Sequence, residues 1–234
     1  MFFLTFLFFK KDYKILEEYP YDESIFTQGL VLYNQELFVS SGEYGKSFIA
    51  KIDLENGKIY EKLIVENNFF SEGITIIDNQ IFQLTWKENV VNLYNSNTYK
   101  KKGSYYYEGE GWGITNSKEY IYMSDGTNQL IMRNINNFKK EKTIFVKHNQ
   151  QPVYLINELE YVDGYIYANV WKSDLIYKID ANSGEVVKTF DLSNLFNDSE
   201  KKQIGVLNGI AHITKKDFYI TGKNWNKLFK IRLE

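Results

Sequence analysis

The sequence predicts an all-β fold, a single five-bladed β-propeller whose ring is closed by an N-terminal strand joining the C-terminal blade. Three observations lead there. A plan of strand, tight polar turn and strand recurs five times. The recurrences begin 44, 40, 46 and 50 residues apart, close to the period of propeller blades. Aromatic residues make up 17% of the chain while Pro occurs only twice, a balance that favours strands and buried faces over disorder.

Taken in order, residues 1–12 stand apart as an apolar N-terminal segment. Phe2 to Phe9 form a run broken only by Thr5 and followed by Lys10 and Lys11. The run is far shorter than the roughly 20 residues a membrane-spanning helix needs. It has the length of a signal-peptide core, yet no basic residue precedes it and no small-residue cleavage site follows. It reads equally as a remnant of an export signal or as a sticky tail. Tyr13 to Tyr19 (YKILEEY) reads as a strand without a partner nearby. The first hairpin, GLVLYNQELFVSSG from Gly29, is followed by the strand pair SFIAKIDLENGKIYEKLIV around the turn dipeptide Asn56-Gly57. GITIIDNQIFQLTW from Gly73 and GITNSKEYIYMSD from Gly113 are the second and third hairpins, and KHNQQP around His148 reads as a loop. The fourth, LEYVDGYIYANVW from Leu159, leads into DLIYKIDANSGEVVKTF with its Ser183-Gly184 turn. The fifth, GIAHITKKDFYITGK from Gly209, runs out after KLFKIRLE with only three strands. The orphan strand at Tyr13 supplies the fourth, so residues 13–234 are expected to form one closed ring without a linker.

Composition removes several classes of function. Lys and Arg number 28 against 30 Asp and Glu, so no basic field exists to gather nucleic acid. The absence of Cys excludes thiol catalysis, Cys-based zinc sites and disulfide frameworks. Histidine chemistry would rest on His148, in a loop, or His212, inside a hairpin strand. Neither has a Ser and an Asp in recognisable array. GEGWG at Gly109 to Gly113 opens a strand instead of a helix, which argues against a phosphate loop.

In a hairpin the start of the first strand and the end of the second lie at the same end, so these positions converge on one face of the ring. At the starts stand Phe26, Gln28, Phe70, Glu72, Trp112, Asn157, Glu158 and Asn208. At the ends stand Ser41, Trp86, Lys87, Glu88, Asp125, Trp171, Lys172, Lys223 and Trp225. All four Trp fall in this set, which predicts an aromatic-lined concavity with a few polar groups. Trp packing blade against blade is the competing explanation for any one of them. Glu72, between Phe70 and Gly73, is expected to be desolvated and suited to moving a proton, unless it lies on the surface. Lys223, after Gly222, offers a fixed positive charge near Glu72 or a developing oxyanion, or else a solvated ammonium beside a turn. Asn157 and Asn208 have the chemistry to bind a small amide or to cap loops.

Seven motifs in one order carry a family resemblance: FTQGL at Phe26 to Leu30, SEGIT at Ser71 to Thr75, LTWKE at Leu84 to Glu88, GWGIT at Gly111 to Thr115, NELEY at Asn157 to Tyr161, NVWKSD at Asn169 to Asp174, and TGKNW at Thr221 to Trp225. Together they resemble the plant and bacterial type of glutaminyl-peptide cyclotransferase, over residues 13 to 234. The resemblance implies a five-bladed propeller, in agreement with the repeat count. It places the catalytic glutamate at Glu72 and the other site residues at Phe26, Gln28, Phe70, Trp86, Trp112, Asn157, Trp171 and Lys223. A departure occurs in SFIAKIDL, where Ala50 and Lys51 replace a more usual basic residue; it is expected to touch blade packing more than the site. The implied partners are peptides or proteins with N-terminal Gln, converted to pyroglutamate with release of ammonia. The implied location is outside the cytoplasm, whether secreted, periplasmic or membrane-attached, with a cytoplasmic location as the alternative. No cofactor is required by that chemistry, and a structural divalent ion held by carbonyls in the central channel stays open. A monomer is expected, since no interface stripe is evident.

On this reading Glu72, Lys223 and Asn157 are catalytic. The substrate amine attacks its own side-chain amide, Glu72 moves the proton, and Lys223 and Asn157 face the oxyanion. Phe26, Phe70, Trp86, Trp112 and Trp171 form a cage, and Gln28 orients the substrate amide. Two rivals belong to other classes. One is a metal-dependent lactonase-type propeller using Glu72, Asn157, Asn208 and Asp125 as ligands, and the other is a non-catalytic peptide-binding propeller.

Overall fold

The computed structural model describes residues 12–234; the apolar run Phe2–Phe9 lies outside the described residues. Strand β1 (Tyr13–Pro20) comes first. Blade 1 follows as β2 (Thr27–Tyr33), β3 (Glu36–Ser41), β4 (Phe48–Ile52) and β5 (Ile59–Ile64). Blade 2 is β6 (Ser71–Ile77), β7 (Gln80–Thr85), β8 (Val90–Asn95) and β9 (Lys101–Tyr106). Blade 3 is β10 (Ile114–Asn116), β11 (Tyr120–Ser124), β12 (Gln129–Asn134) and β13 (Lys140–Phe145). A small ribbon, β14 (Lys147–His148) with β15 (Gln151–Pro152), precedes blade 4. Blade 4 is β16 (Ile156–Val162), β17 (Tyr165–Val170), β18 (Leu175–Asp180) and β19 (Val186–Asp191). One helical turn, α1 (Asp198–Lys201), leads to β20 (Leu207–Thr214), β21 (Asp217–Gly222) and β22 (Lys227–Leu233).

Each blade is an antiparallel sheet of four strands, and the last, blade 5, has the order β1-β22-β21-β20. The strand predicted at Tyr13 therefore completes the final blade, with Tyr13 opposite Leu233 and Pro20 opposite Lys227. Without it β22 would present an open row of unpaired backbone groups. The inner hairpins turn where two successive residues accept left-handed backbone, at Asn34-Gln35, Asp78-Asn79 and Asp163-Gly164. That is the conformation whose twist matches paired strands.

Alternation along the strands divides the core by interface. On β3, Leu37 and Val39 pack towards blade 5 with Ala211 and Leu228, whereas Phe38 between them faces blade 2 with Ile74 and Ile81. Similar clusters fill the remaining three interfaces, so each blade is held chiefly by its neighbours. Ala50 lies in the core between blades 5 and 1, and the buried Lys51 pairs with Glu36 and Glu61, both at 3.0 Å. The departure noted in SFIAKIDL is thus a matter of blade packing.

Two readings need correction. KHNQQP is a ribbon around a left-handed Asn149-Gln150 turn, too short for strand periodicity to show. Trp225 does not join the other tryptophans. It is buried in the core under the segment Leu192–Val206, its ring 4.7 Å from Phe196 and its Nε1 donating to the Gly205 carbonyl at 2.8 Å. That segment, with α1 capped by Asn197, is the insertion that lengthens the last repeat.

Candidate active site

The five innermost strands begin at the same end of the ring, and in four of them the ladder slips by one residue at the same height. The slip falls between Thr27 and Gly29, between Ser71 and Ile74, between Ile156 and Leu159, and between Leu207 and Ile210. The first residues of these bulges are Gln28, Glu72, Asn157 and Asn208. A bulge leaves its extra residue outside the pairing scheme and re-aims the side chain, which turns these polar groups towards the axis instead of into the blade interfaces. Glycines beside the bulges let the inner strands approach closely. A Cβ on Gly73 would lie 2.9 Å from both the Ile114 nitrogen and the Trp112 oxygen, and one on Gly113 would overlap the Asn157 carbonyl. The Gly73 N–H donates to the Trp112 carbonyl at 2.8 Å, fixing blade 2 against blade 3 beside Glu72.

At this end lies a cavity of about 280 Å³, lined by Phe26, Gln28, Phe70, Glu72, Trp86, Trp112, Asn157, Trp171 and Lys223. These are the nine residues singled out from the sequence. A larger depression of about 1150 Å³ lies among the hairpin turns, around Asp78, Lys118, Glu119 and Asp163, and contains none of them.

Glu72 is buried at the cavity floor, where it accepts a hydrogen bond from Gln28 Nε2 at 3.1 Å. The Gln28 amide oxygen in turn meets Asn208 Nδ2 at 3.4 Å, and Asn208 also donates to the Thr27 carbonyl at 3.0 Å. Gln28 is therefore engaged in holding the carboxylate, and Asn208 stands behind it without lining the cavity. Ser40 fixes the Glu72 backbone by donating to its carbonyl at 2.6 Å. Burial pushes the Glu72 carboxyl well above the usual range. The charge of Lys223 opposes this, while Glu110 and Glu88 add to it. Burial lowers the Lys223 ammonium, and Glu72 partly restores it. Lys223 is set by main-chain pairing with Phe26 and with Val206, and its Nζ lies 4.6 Å from the Phe26 ring centre.

Asn157 is buried and lines the cavity, and its Oδ1 has no partner in the protein, so that oxygen is left as an unused acceptor there. Its main chain is fixed by Ser124, whose hydroxyl donates to the Asn157 carbonyl at 2.6 Å. The adjacent Glu158 does not reach the cavity. Its two oxygens accept the backbone N–H groups of Leu30 and Ile210, at 3.2 and 2.9 Å, and bind blade 4 to blades 1 and 5.

The aromatic wall consists of edge-on pairs: Phe26 with Phe70 at 6.4 Å, Phe70 with Trp86 at 5.6 Å, and Trp112 with Trp171 at 5.7 Å. Lys87 and Lys172 lie over the Trp86 and Trp171 rings at 3.8 and 4.4 Å. Two rim residues escaped the sequence reading. Tyr44 packs on Phe70 at 5.4 Å and donates to Glu88 at 2.7 Å, and Glu110 accepts from the indoles of both Trp86 and Trp112. Glu110 lay in view within GEGWG, two residues before Trp112, but side-chain pairing across blades leaves no mark in a linear pattern.

This arrangement suits a small organic amide. It offers a desolvated carboxylate, a nearby cation, an asparagine side chain with an unpartnered oxygen, and apolar walls. Of the four oxygen ligands a lactonase-type site would use, Glu72 and Asn157 line this cavity, whereas Asn208 and Asp125 are not among its lining residues. Asp125 accepts from Thr127 at 3.0 Å through the amide and at 2.5 Å through the hydroxyl.

Comparison with known proteins yields a consistent set. A family model described as glutamine cyclotransferase matches residues 9–233. A glutaminyl-peptide cyclotransferase of Arabidopsis thaliana is 36% identical over 227 residues, spanning 94% of this chain and 71% of that protein. The crystal structure of Myxococcus xanthus glutaminyl cyclase superposes with a TM-score of 0.88 at 33% identity, covering 95% of this chain and 96% of that one.

Proposed function

Because the chain belongs to the glutamine cyclotransferase family, we propose that the nine-residue cavity is where it closes N-terminal glutamine into pyroglutamate, with Glu72 as the proton shuttle. The observation that carries this is a buried carboxylate, raised by desolvation, at the floor of an aromatic cavity of about 280 Å³. That volume accommodates a folded-back glutamine residue, while the peptide beyond it leaves through the mouth.

The reaction is intramolecular. The α-amine nitrogen of the substrate bonds to the carbon of its own γ-carboxamide, and the carbonyl electrons move to oxygen. Phe26, Phe70, Trp86, Trp112 and Trp171 hold the bent conformer and exclude water that would otherwise hydrolyse the amide. A free α-amine has a pKa near 8 and becomes strongly acidic only as it attacks. The Glu72 carboxylate then takes its proton and hands it to the amide nitrogen, whose bond to carbon breaks to release ammonia. Both nitrogens sit on one carbon, so a single carboxyl reaches both. A pKa raised above the ordinary carboxylate range makes Glu72 a better base without preventing it from returning the proton. Lys223 faces the oxyanion together with the Nδ2 group of Asn157, the only part of that amide that can donate, and Gln28 keeps the Glu72 carboxylate aimed.

This scheme draws all its groups from the chain and calls for no cofactor. The partners are peptides or proteins beginning with Gln. No helix among the described residues is long and apolar enough to cross a membrane. Export is the destination in this reading, which the signal-core length of the run Phe2–Phe9 fits. The test is incubation of the purified protein with a Gln-initiated dipeptide, with and without a strong chelator. Equimolar ammonia and a product lighter by the mass of one ammonia are expected in both. No ammonia at all, or complete and reversible loss with chelator, would contradict the scheme.

A further inference from the structure

The cavity wall is made of two aromatic arcs from different blades. Phe26, Phe70 and Trp86 form one, Trp112 and Trp171 the other, and among the described residues no ring contact joins Trp86 to Trp112. The gap is spanned by one oxygen: Glu110 Oε2 accepts from Trp86 Nε1 at 2.7 Å and from Trp112 Nε1 at 2.9 Å. The main chain around Glu110 is itself pinned. Gly111 donates to the Trp86 carbonyl at 2.9 Å and Trp112 to the Ser124 carbonyl at 3.0 Å. A Cβ on Gly111 would clash with the Tyr107 hydroxyl and the Thr85 carbonyl, so the chain beside Glu110 runs close against blade 2. The second carboxylate oxygen lies 3.8 Å from Lys87, the residue stacked over Trp86.

We propose that Glu110 is a positioning residue for the cyclisation: by holding both indoles on one oxygen it fixes the separation of the two arcs, and with it the shape of the cage that folds glutamine back on its own amine. This rests on the cyclotransferase reading of the cavity. One oxygen that accepts from both indoles constrains both rings at once. A displacement of about 1 Å in a positioning wall is enough to cost up to about 100-fold in rate, because the reaction depends on a near-attack conformer. The role is one of hydrogen-bond acceptance. A glutamine side chain, which keeps an acceptor oxygen but no charge, should therefore serve nearly as well, whereas a role in attracting the substrate ammonium would need the charge.

The experiment compares full-length wild type with Glu110→Ala and Glu110→Gln. It reads ammonia release from a Gln-initiated dipeptide, tryptophan emission, and circular dichroism as the check on folding. E110A is expected to keep the wild-type dichroism, to lose about 10- to 100-fold in kcat with a smaller change in KM, and to shift in indole emission. E110Q should remain within about threefold of wild type in both constants. The proposal is overturned by E110A activity within about twofold of wild type, by unchanged emission, or by E110Q as impaired as E110A. Inactivity of the wild type would contradict the cyclotransferase reading instead, and emission of the variants would then decide the clamp by itself.

Discussion

Glu72 and Lys223 share the cavity without forming a close ion pair among the described salt bridges, and each shifts the other's ionisation. Burial dominates for both, raising the carboxyl and lowering the ammonium, while their mutual attraction works in the opposite sense. Removing Lys223 takes away the one positive influence on Glu72 and leaves Glu110 and Glu88 to raise it further. The hydrogen bond from Gln28 remains in place. Lys223→Ala should therefore move the acid limb of the kcat/KM profile to higher pH, because a carboxylate that protonates sooner is lost as a base sooner. It should also lower kcat by about 100-fold if the ammonium faces the oxyanion. A rise in KM alone, with an unmoved limb, would make Lys223 a ground-state binding group. Both residues could be picked out as candidates because they stand at hairpin ends, Glu72 two residues after Phe70 and Lys223 two before Trp225, within motifs that carry the family resemblance. Their partners were less so. That Gln28 is spent on Glu72, and that Trp225 is buried under Leu192–Val206, follows from contacts between distant segments.

The bulged inner strand is the element that places the chemistry. In blades 1, 2, 4 and 5 the same slip in register carries Gln28, Glu72, Asn157 and Asn208, and adjacent glycine lets neighbouring blades meet. Blade 4 carries Glu158 where the others carry glycine, and its carboxylate stitches Leu30 and Ile210 to the same level. Sequence periodicity located the strands and turns but could not show the bulges, since one extra residue at a strand start looks like an ordinary beginning. Gly113→Ala tests how far the site depends on this close approach. The new methyl group would overlap the Asn157 carbonyl, a backbone atom that cannot swing aside. The expected outcome in urea unfolding is a loss of about 2 kcal/mol or more, accompanied by reduced turnover. Unchanged stability would mean that the inner strands are less tightly apposed than the structure indicates.

Across the whole molecule, closure by β1 makes the ring continuous, so the cavity is shaped by all five blades. Strand count and the early strand at Tyr13 made this closure legible in the sequence, because three strands at one end and one at the other leave few alternatives. The insertion carrying α1 was not visible beyond a longer repeat spacing. A chain lacking residues 1–20 would expose β22 as an edge and remove Tyr13 from the core between blades 4 and 5. Its thermal midpoint should fall by about 10 °C or more, with self-association in size-exclusion chromatography; a midpoint equal to that of the full chain would show that closure adds little. The central claim concerns what the closed ring holds at its axis. It is tested most directly by ammonia release from a Gln-initiated dipeptide by Glu72→Gln, whose amide preserves the size of the carboxyl but cannot carry the proton. The account predicts a turnover lower by about 100- to 10,000-fold with the fold intact, whereas retention of more than about a tenth of the wild-type rate would contradict it.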